Sequence, residues 1–215
     1  MIPELFRVGS FAISPFGVMM VLAFLSAYYQ LRWGLLRSGA GTDDDASSLV
    51  FAGGVGGIVG AKAYYAMLYG DWQLLFARSG LVWYGGFVLA VVAIVWTVRR
   101  RSLAPWPTID AASLGLALGY AVGRVGCFLV GDDYGVPTDL PWGVAFPHGL
   151  PETTAGVLRD SFAVDIPASI PDSQLMAVHP TQLYETLAAL VIWGFGVAYF
   201  RRRPGIGRTS VWVIG

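Results

Sequence analysis

The chain is divided into a few long, uninterrupted apolar runs, and several of them approach the roughly 20 residues that cross a bilayer as a helix. Such runs exclude a membrane β-barrel, whose strands alternate apolar and polar residues. Only 13% of the 215 residues are charged while 55% are hydrophobic, whereas soluble domains carry about 25% charged residues. The expectation is an all-α, polytopic transmembrane helical bundle, built as one membrane-embedded domain over residues 1–215. The formal net charge is zero, so no overall basic field points to nucleic acid. The one cysteine, Cys127, excludes an internal disulfide and a cysteine metal cluster. The N-terminus lacks the basic, apolar and cleavable succession of a signal peptide, so the first apolar run is expected to stay as a span.

Five full spans are predicted, over about 11–33, 46–69, 81–98, 108–130 and 179–200. A Gly-Thr-Asp-Asp-Asp loop at 41–45 separates the first two, and Pro105-Trp106-Pro107 reads as a stiff turn before the fourth. Gly53, Gly56, Gly57 and Gly60 give the second span the small-residue spacing that lets another helix approach closely. Residues 131–178, rich in proline between Val136 and Pro171, hold no spanning run and form a head region outside the membrane. If the spans alternate, Arg32, Arg37, Arg99, Arg100, Arg101, Arg201, Arg202, Arg203 and Arg208 share one side, and Arg7, Arg78 and Arg159 the other. Positive residues favour the inside. The N-terminus and the 131–178 head are therefore expected outside, facing the periplasm or the cell exterior, and the Arg-rich loops in the cytoplasm. The apolar piece after Arg208 is too short to span, so the chain is expected to be a fragment that stops at the start of a sixth span.

The stretch Gly123–Gly135, GRVGCFLVGDDYG, carries the first chemistry. An arginine near the centre of a membrane helix costs about 2.5–3.5 kcal/mol on insertion scales and is a functional candidate by default. Its planar fork suits a phosphate. Arg124 either meets a lipid phosphate near the membrane surface or is a structural arginine paired with Asp132, Asp133 or a carbonyl. Gly123 and Gly126 are expected to clear the backbone for a ligand.

A second stretch, His179-Pro180-Thr181-Gln182-Leu183-Tyr184-Glu185, opens the fifth span. Pro180 suits a first helical turn, which places His179 near the N-cap. Gln182 and Glu185 share a face, with Tyr184 turned away from Gln182. These groups make either a ligand site or a well-capped interfacial helix. Trp83-Tyr84-Gly85-Gly86 opens the third span at the same outer level, as an aromatic belt with a packing pair or as part of a site. Lys62 reads as a snorkelling or ion-paired residue, Cys127 as a small packing residue and His148 as a solvated turn residue. No metal-ligand spacing is visible, and neither a metal nor a cofactor is expected.

Taken together, these stretches resemble the prolipoprotein diacylglyceryl transferase family. GRVGCFLVGDDYG resembles its glycine–arginine signature, HPTQLYE matches its His-Pro-Ser/Thr-Gln-Leu-Tyr-Glu motif, and Ile-Ser-Pro-Phe-Gly and Trp-Tyr-Gly-Gly have counterparts in the same order. The resemblance covers nearly the whole chain. It implies transfer of a diacylglyceryl group from phosphatidylglycerol to the lipobox cysteine thiol of a prolipoprotein, releasing glycerol phosphate. It also implies that Arg124 is the headgroup arginine, that Asp132 stands where an acidic residue is usual, and that Gly135 closes the signature. His179, Gln182, Tyr184 and Glu185 fall in the second motif.

Three departures are legible. The family's usual histidine before Gly-Gly is Tyr84 here, its usual asparagine three residues after the arginine is Cys127, and its last helix, with another arginine, is missing. A thiol of free pKa about 8.5 must be deprotonated to attack, and the leaving phosphate must be stabilised. Arg124 fits the second role. For the first, His179 has a suitable intrinsic pKa, while Tyr84 holds the matching position and is favoured slightly as a site residue. Two other readings stand beside the transferase: a multi-span lipid-binding or transport protein, and a relative that binds anionic lipid without activating a thiol. The gathering of polar groups at one membrane face, with no internal repeat, favours the enzyme.

Overall fold

The computed structural model describes residues 5–8, 11–77, 80–202 and 207–214. Arg78 and Arg203 of the charge pattern lie outside the described residues, as do the first four residues and the side chain of Arg7. The elements are β1 (Phe6–Val8), β2 (Phe11–Ile13), α1 (Pro15–Ser38), α2 (Asp43–Tyr69), a short 3-10 helix (Trp72–Phe76), α3 (Trp83–Arg100), α4 (Pro105–Val130), α5 (Ala155–Phe162), α6 (Thr181–Arg201) and α7 (Arg208–Ile214). Four of these helices, α2, α3, α4 and α6, are long and apolar enough to cross a membrane.

The helical expectation holds with corrections at its edges. The run predicted to begin the first span at Phe11 starts as a strand, because β2 pairs antiparallel with β1 (Phe6 opposite Ile13). Helix begins only at Pro15. α1 is long, at 24 residues, but is not among the four apolar helices, since Tyr28, Tyr29, Gln30 and Arg32 dilute its second half. The Asp-Asp-Asp expected in a loop is the first turn of α2. Thr42 caps that helix and exchanges bonds with Asp45 in a capping box, and the three carboxylates complement the positive end of the helix dipole. Pro105-Trp106-Pro107 is likewise helical, because proline fits a first turn that needs no N–H from it.

The chain divides into two compact units, Met1–Ser26 with Leu116–Ala198, and Ala27–Gly115 with Tyr199–Gly215. The divisions fall inside α1, α4 and α6. In the second unit α2 and α3 meet backbone to backbone at Gly60 and Gly85: a Cβ on Gly60 would run into the carbonyl oxygen of Gly85 and stand 2.6 Å from Leu89 Cβ. Leu31, Leu35, Ala46, Leu49 and Ala111 form the buried cluster. Arg101 pairs with Asp44 and Asp45 at 2.7 and 2.8 Å, and Arg32 with Asp43 at 2.9 Å. Lys62 donates to the Ala77 carbonyl. Buried Asp110 accepts from the backbone N–H of Gly207 and of Ser210, both at 2.7 Å, which ties the start of α7 to α4.

In the first unit the segment between α4 and α6 builds its own core. Phe146, Ala155, Leu158, Ile166 and Val178 are buried together, and Phe128 from the end of α4 packs on them. Val178 bridges to both Pro137 and Val144, and Leu175 to Thr154. The segment is therefore a folded unit of short paired stretches around α5, whose ends return to the points where α4 stops and α6 starts.

Candidate active site

The site is assembled in the first unit from the last turns of α4, the turn 131–136 and the first turns of α6. α4 ends at Gly131, with a positive φ of 75°, and Asp133 also takes a positive φ, of 52°. These two reversals turn the chain back over the helix end. The turn is then stitched to α6. Gln182 donates from Nε2 to the Asp132 carbonyl, and the Thr181 hydroxyl to the Asp133 carbonyl at 2.8 Å. Gly135 N–H donates to the His179 carbonyl at 2.9 Å, and His179 N–H to the Val136 carbonyl at 3.0 Å. Gly135 is where a side chain would not fit, since a Cβ there would sit 2.8 Å from Thr181 and 3.0 Å from His179.

Arg124 lies at the centre. Its Nη2 donates to Glu185 Oε1 at 3.2 Å, its Nε stands 2.9 Å from Glu185 Oε2 as an ion-pair contact without a hydrogen bond, and its Nη1 donates to Asp133 Oδ2 at 2.8 Å. The arginine side chain is 13% exposed, against 42% for Glu185 and 67% for Asp133. The inner partner is held and the outer one is wet. Tyr120, one helical turn before Arg124, donates its hydroxyl to Glu185 as well. Cys127 is buried, with Sγ 3.7 Å from Arg124 Nη1 and 4.0 Å from Asp133 Oδ2.

Of the partners expected for Arg124, Asp133 is the one found and Asp132 is not, because the positive φ at Asp133 brings the second carboxylate to the guanidinium. Asp132 presents its backbone carbonyl to Gln182, while its own Oδ1 is buried without a partner among the described residues. Burial pushes its carboxyl above the usual range. The side chain of Gln182 is fully buried and its Oε1 lacks a partner among the described residues. Gly126 does not clear space for a ligand: it is where α1 packs, with a Cβ there 2.9 Å from Met19, whereas a Cβ on Gly123 would meet open space.

A second cluster sits at the start of α6. Trp142 donates from Nε1 to the Tyr184 hydroxyl at 2.7 Å, and that hydroxyl lies 3.1 Å from His179 Nδ1. The indole can only donate, so the Tyr184 hydroxyl accepts from Trp142 while its other contact is with His179 Nδ1. Tyr84 belongs to the second unit, where it is exposed in the first turn of α3 with its ring edge-on to Trp83 at 5.3 Å.

Sequence reasoning missed Tyr120 and Trp142. Tyr120 carries a readable signal, four residues before Arg124 and so on the same helix face. Trp142 carries none, since only the folding of the head brings it to Tyr184.

A family model for prolipoprotein diacylglyceryl transferase matches residues 3–214. The chain belongs to that family. Among curated members of the transferase family, the phosphatidylglycerol–prolipoprotein diacylglyceryl transferase of Geobacter sulfurreducens is 30% identical over 86% of this chain and 65% of its own length. The proteins of the same description from Polynucleobacter asymbioticus and Vibrio cholerae are 29% and 27% identical, over 97% and 94% of this chain and 76% and 69% of their own lengths. The chain thus spans about two thirds of the length of the Geobacter transferase.

Proposed function

We propose that this chain transfers a diacylglyceryl group from phosphatidylglycerol to the thiol of a prolipoprotein lipobox cysteine. The observation that supports it most is Arg124, gripped from one side by Glu185 and from the other by a solvent-exposed carboxylate that a phosphate can replace. A guanidinium fixed in its fork geometry binds a phosphate oxygen pair without reordering. Asp133 gives way to the headgroup, and Glu185 with Tyr120 keeps the arginine aimed. The acceptor sulfur then attacks the glyceryl carbon that carries the phosphate ester. A C–S bond forms, the C–O bond breaks, and its electron pair leaves on glycerol phosphate beside Arg124, which stabilises the growing charge. The thiol proton leaves to a base.

His179, whose Nδ1 is engaged by Tyr184 and whose Nε2 is left for the reacting groups, is one candidate for that base, and Tyr84 is the other. Tyr84 is retained as a site residue on its position in the family motif. Gln182, Gly135 and the Asp132 backbone shape the wall against which the lipid lies, and Cys127 packs beside the arginine. Residues 1–215 act as one membrane-embedded domain in the bacterial plasma membrane. Residues 131–178 form the periplasmic head, with the N-terminus outside and the Arg-rich loops in the cytoplasm, and α1 joins α2, α3, α4 and α6 as a fifth span.

The test is transfer itself. Protein reconstituted with labelled phosphatidylglycerol and a lipobox peptide bearing one cysteine is expected to yield a diacylglyceryl thioether by mass spectrometry, and Arg124→Ala to abolish it. Retained lipid binding with no thioether from any lipobox peptide would leave only a lipid-binding protein.

A further inference from the structure

Seven of the eight charged side chains between residues 131 and 178 are carboxylates. The one cation, Arg159, is consumed inside the head, on Asp172 and on the carbonyls of Ile166, Pro167 and Ile170. The head therefore keeps an excess of acid, which its one cation offsets at Asp172 alone. Two of these acids share a feature. Asp139 and Asp165 are exposed, form no ion pair among the described residues, and line one cleft of about 480 Å3. Val136, Ile170, Leu175 and Met176 add apolar wall to it, beside the polar Thr138 and Gln174. The cleft starts beside the candidate site, because the Val136 carbonyl is bonded to His179 N–H and Thr138 N–H to the Ala177 carbonyl.

We infer that this cleft receives the stretch of acceptor polypeptide that follows the reacting cysteine, and that it selects basic side chains there. The inference rests on the transferase reading. The backbone bond between His179 and Val136 joins the candidate site to the cleft, so a polypeptide whose cysteine is delivered to Arg124 has this cleft as a neighbouring surface on which to continue. Lysine and arginine lay their aliphatic stems on apolar surface while the charged head reaches for a polar group. A cleft that offers apolar wall together with two carboxylates unpaired among the described residues suits such side chains. The same carboxylates disfavour an acidic segment, so the discrimination comes from repulsion as well as attraction.

The experiment separates binding from turnover. Fluorescent lipobox peptides, with the cysteine replaced by serine, carry a lysine-rich, neutral or glutamate-rich continuation. They are titrated by anisotropy against the full chain in phosphatidylcholine nanodiscs, whose neutral surface does not itself collect cations. The lysine-rich peptide is expected to bind about tenfold more tightly than the glutamate-rich one. The double variant Asp139→Asn, Asp165→Asn should erase that difference, while Asp139→Glu, Asp165→Glu should keep it at an unchanged thermal midpoint. Equal affinities, or a preference that survives the asparagine variant, would overturn the inference. So would a change in sedimenting mass with the asparagine variant, which would make a second copy of the chain the occupant. Thioether formation from cysteine peptides is scored in parallel: product without a charge preference removes the cleft proposal alone, and a preference without product removes the transferase reading alone.

Discussion

At the scale of the residue, the chemistry turns on how firmly Arg124 is aimed. Glu185 supplies the fork and Tyr120 holds Glu185. A hydrogen bond to a charged group is worth about 1.5–3 kcal/mol, and part of that is lost to solvent because Glu185 is partly exposed. Tyr120→Phe is therefore expected to slow transfer about tenfold with the protein still folded and still binding lipid, as steady-state kinetics and lipid retention would record. An unchanged rate would make Tyr120 a bystander. Arg124 and the HPTQLYE residues were legible in the sequence because a charge inside an apolar run and a polar cluster at a helix start are both costly unless used. The choice between Asp132 and Asp133 was not legible, since it depends on a backbone reversal at an aspartate that no spacing reveals. Gly126 was misread for a related reason. Sequence identifies the absence of a side chain but not which neighbour needs the room.

At the scale of the element, a Cβ on Gly53, Gly56 or Gly60 of α2 would meet α3 as their spacing predicts, one on Gly57 would not, and Gly60 makes the closest approach. Gly60→Leu must push α3 away. Overpacking of this kind costs about 1–3 kcal/mol, so the thermal midpoint of the protein in detergent should fall by several degrees, while the same change at Gly57, which meets nothing, should be tolerated. Equal behaviour at the two positions would show that the crossing is not the seat of stability. The spans themselves were readable from continuous apolarity, and their starts were not. α2 begins three residues early because Thr42 and Asp45 make a capping box with aspartate in place of the usual glutamate, and the β1–β2 pair is too short to leave a periodic signal. The core of the 131–178 head was invisible for another reason. Its buried residues come from separated turns, with no common period to connect Phe146 to Val178.

At the scale of the whole molecule, orientation is the property to measure. In a Cys127→Ser background, Ser173→Cys in the head is expected to react with a membrane-impermeant maleimide in intact cells, and Ser102→Cys after α3 only once the membrane is opened. The reverse pattern would overturn the proposed topology.

The acidic head also changes what zero net charge means. The carboxylates of residues 131–178 are matched by arginines that the proposed topology puts on the opposite face, so the neutral total is a separated pair of charges across the bilayer. Cells hold their interior electrically negative. Every charge carried across such a potential changes the energy by about 2.3 kcal/mol per 100 mV, and the proposed topology puts both populations on their favoured sides. Voltage thus reinforces the orientation of this chain, and a de-energised membrane should insert it with less fidelity.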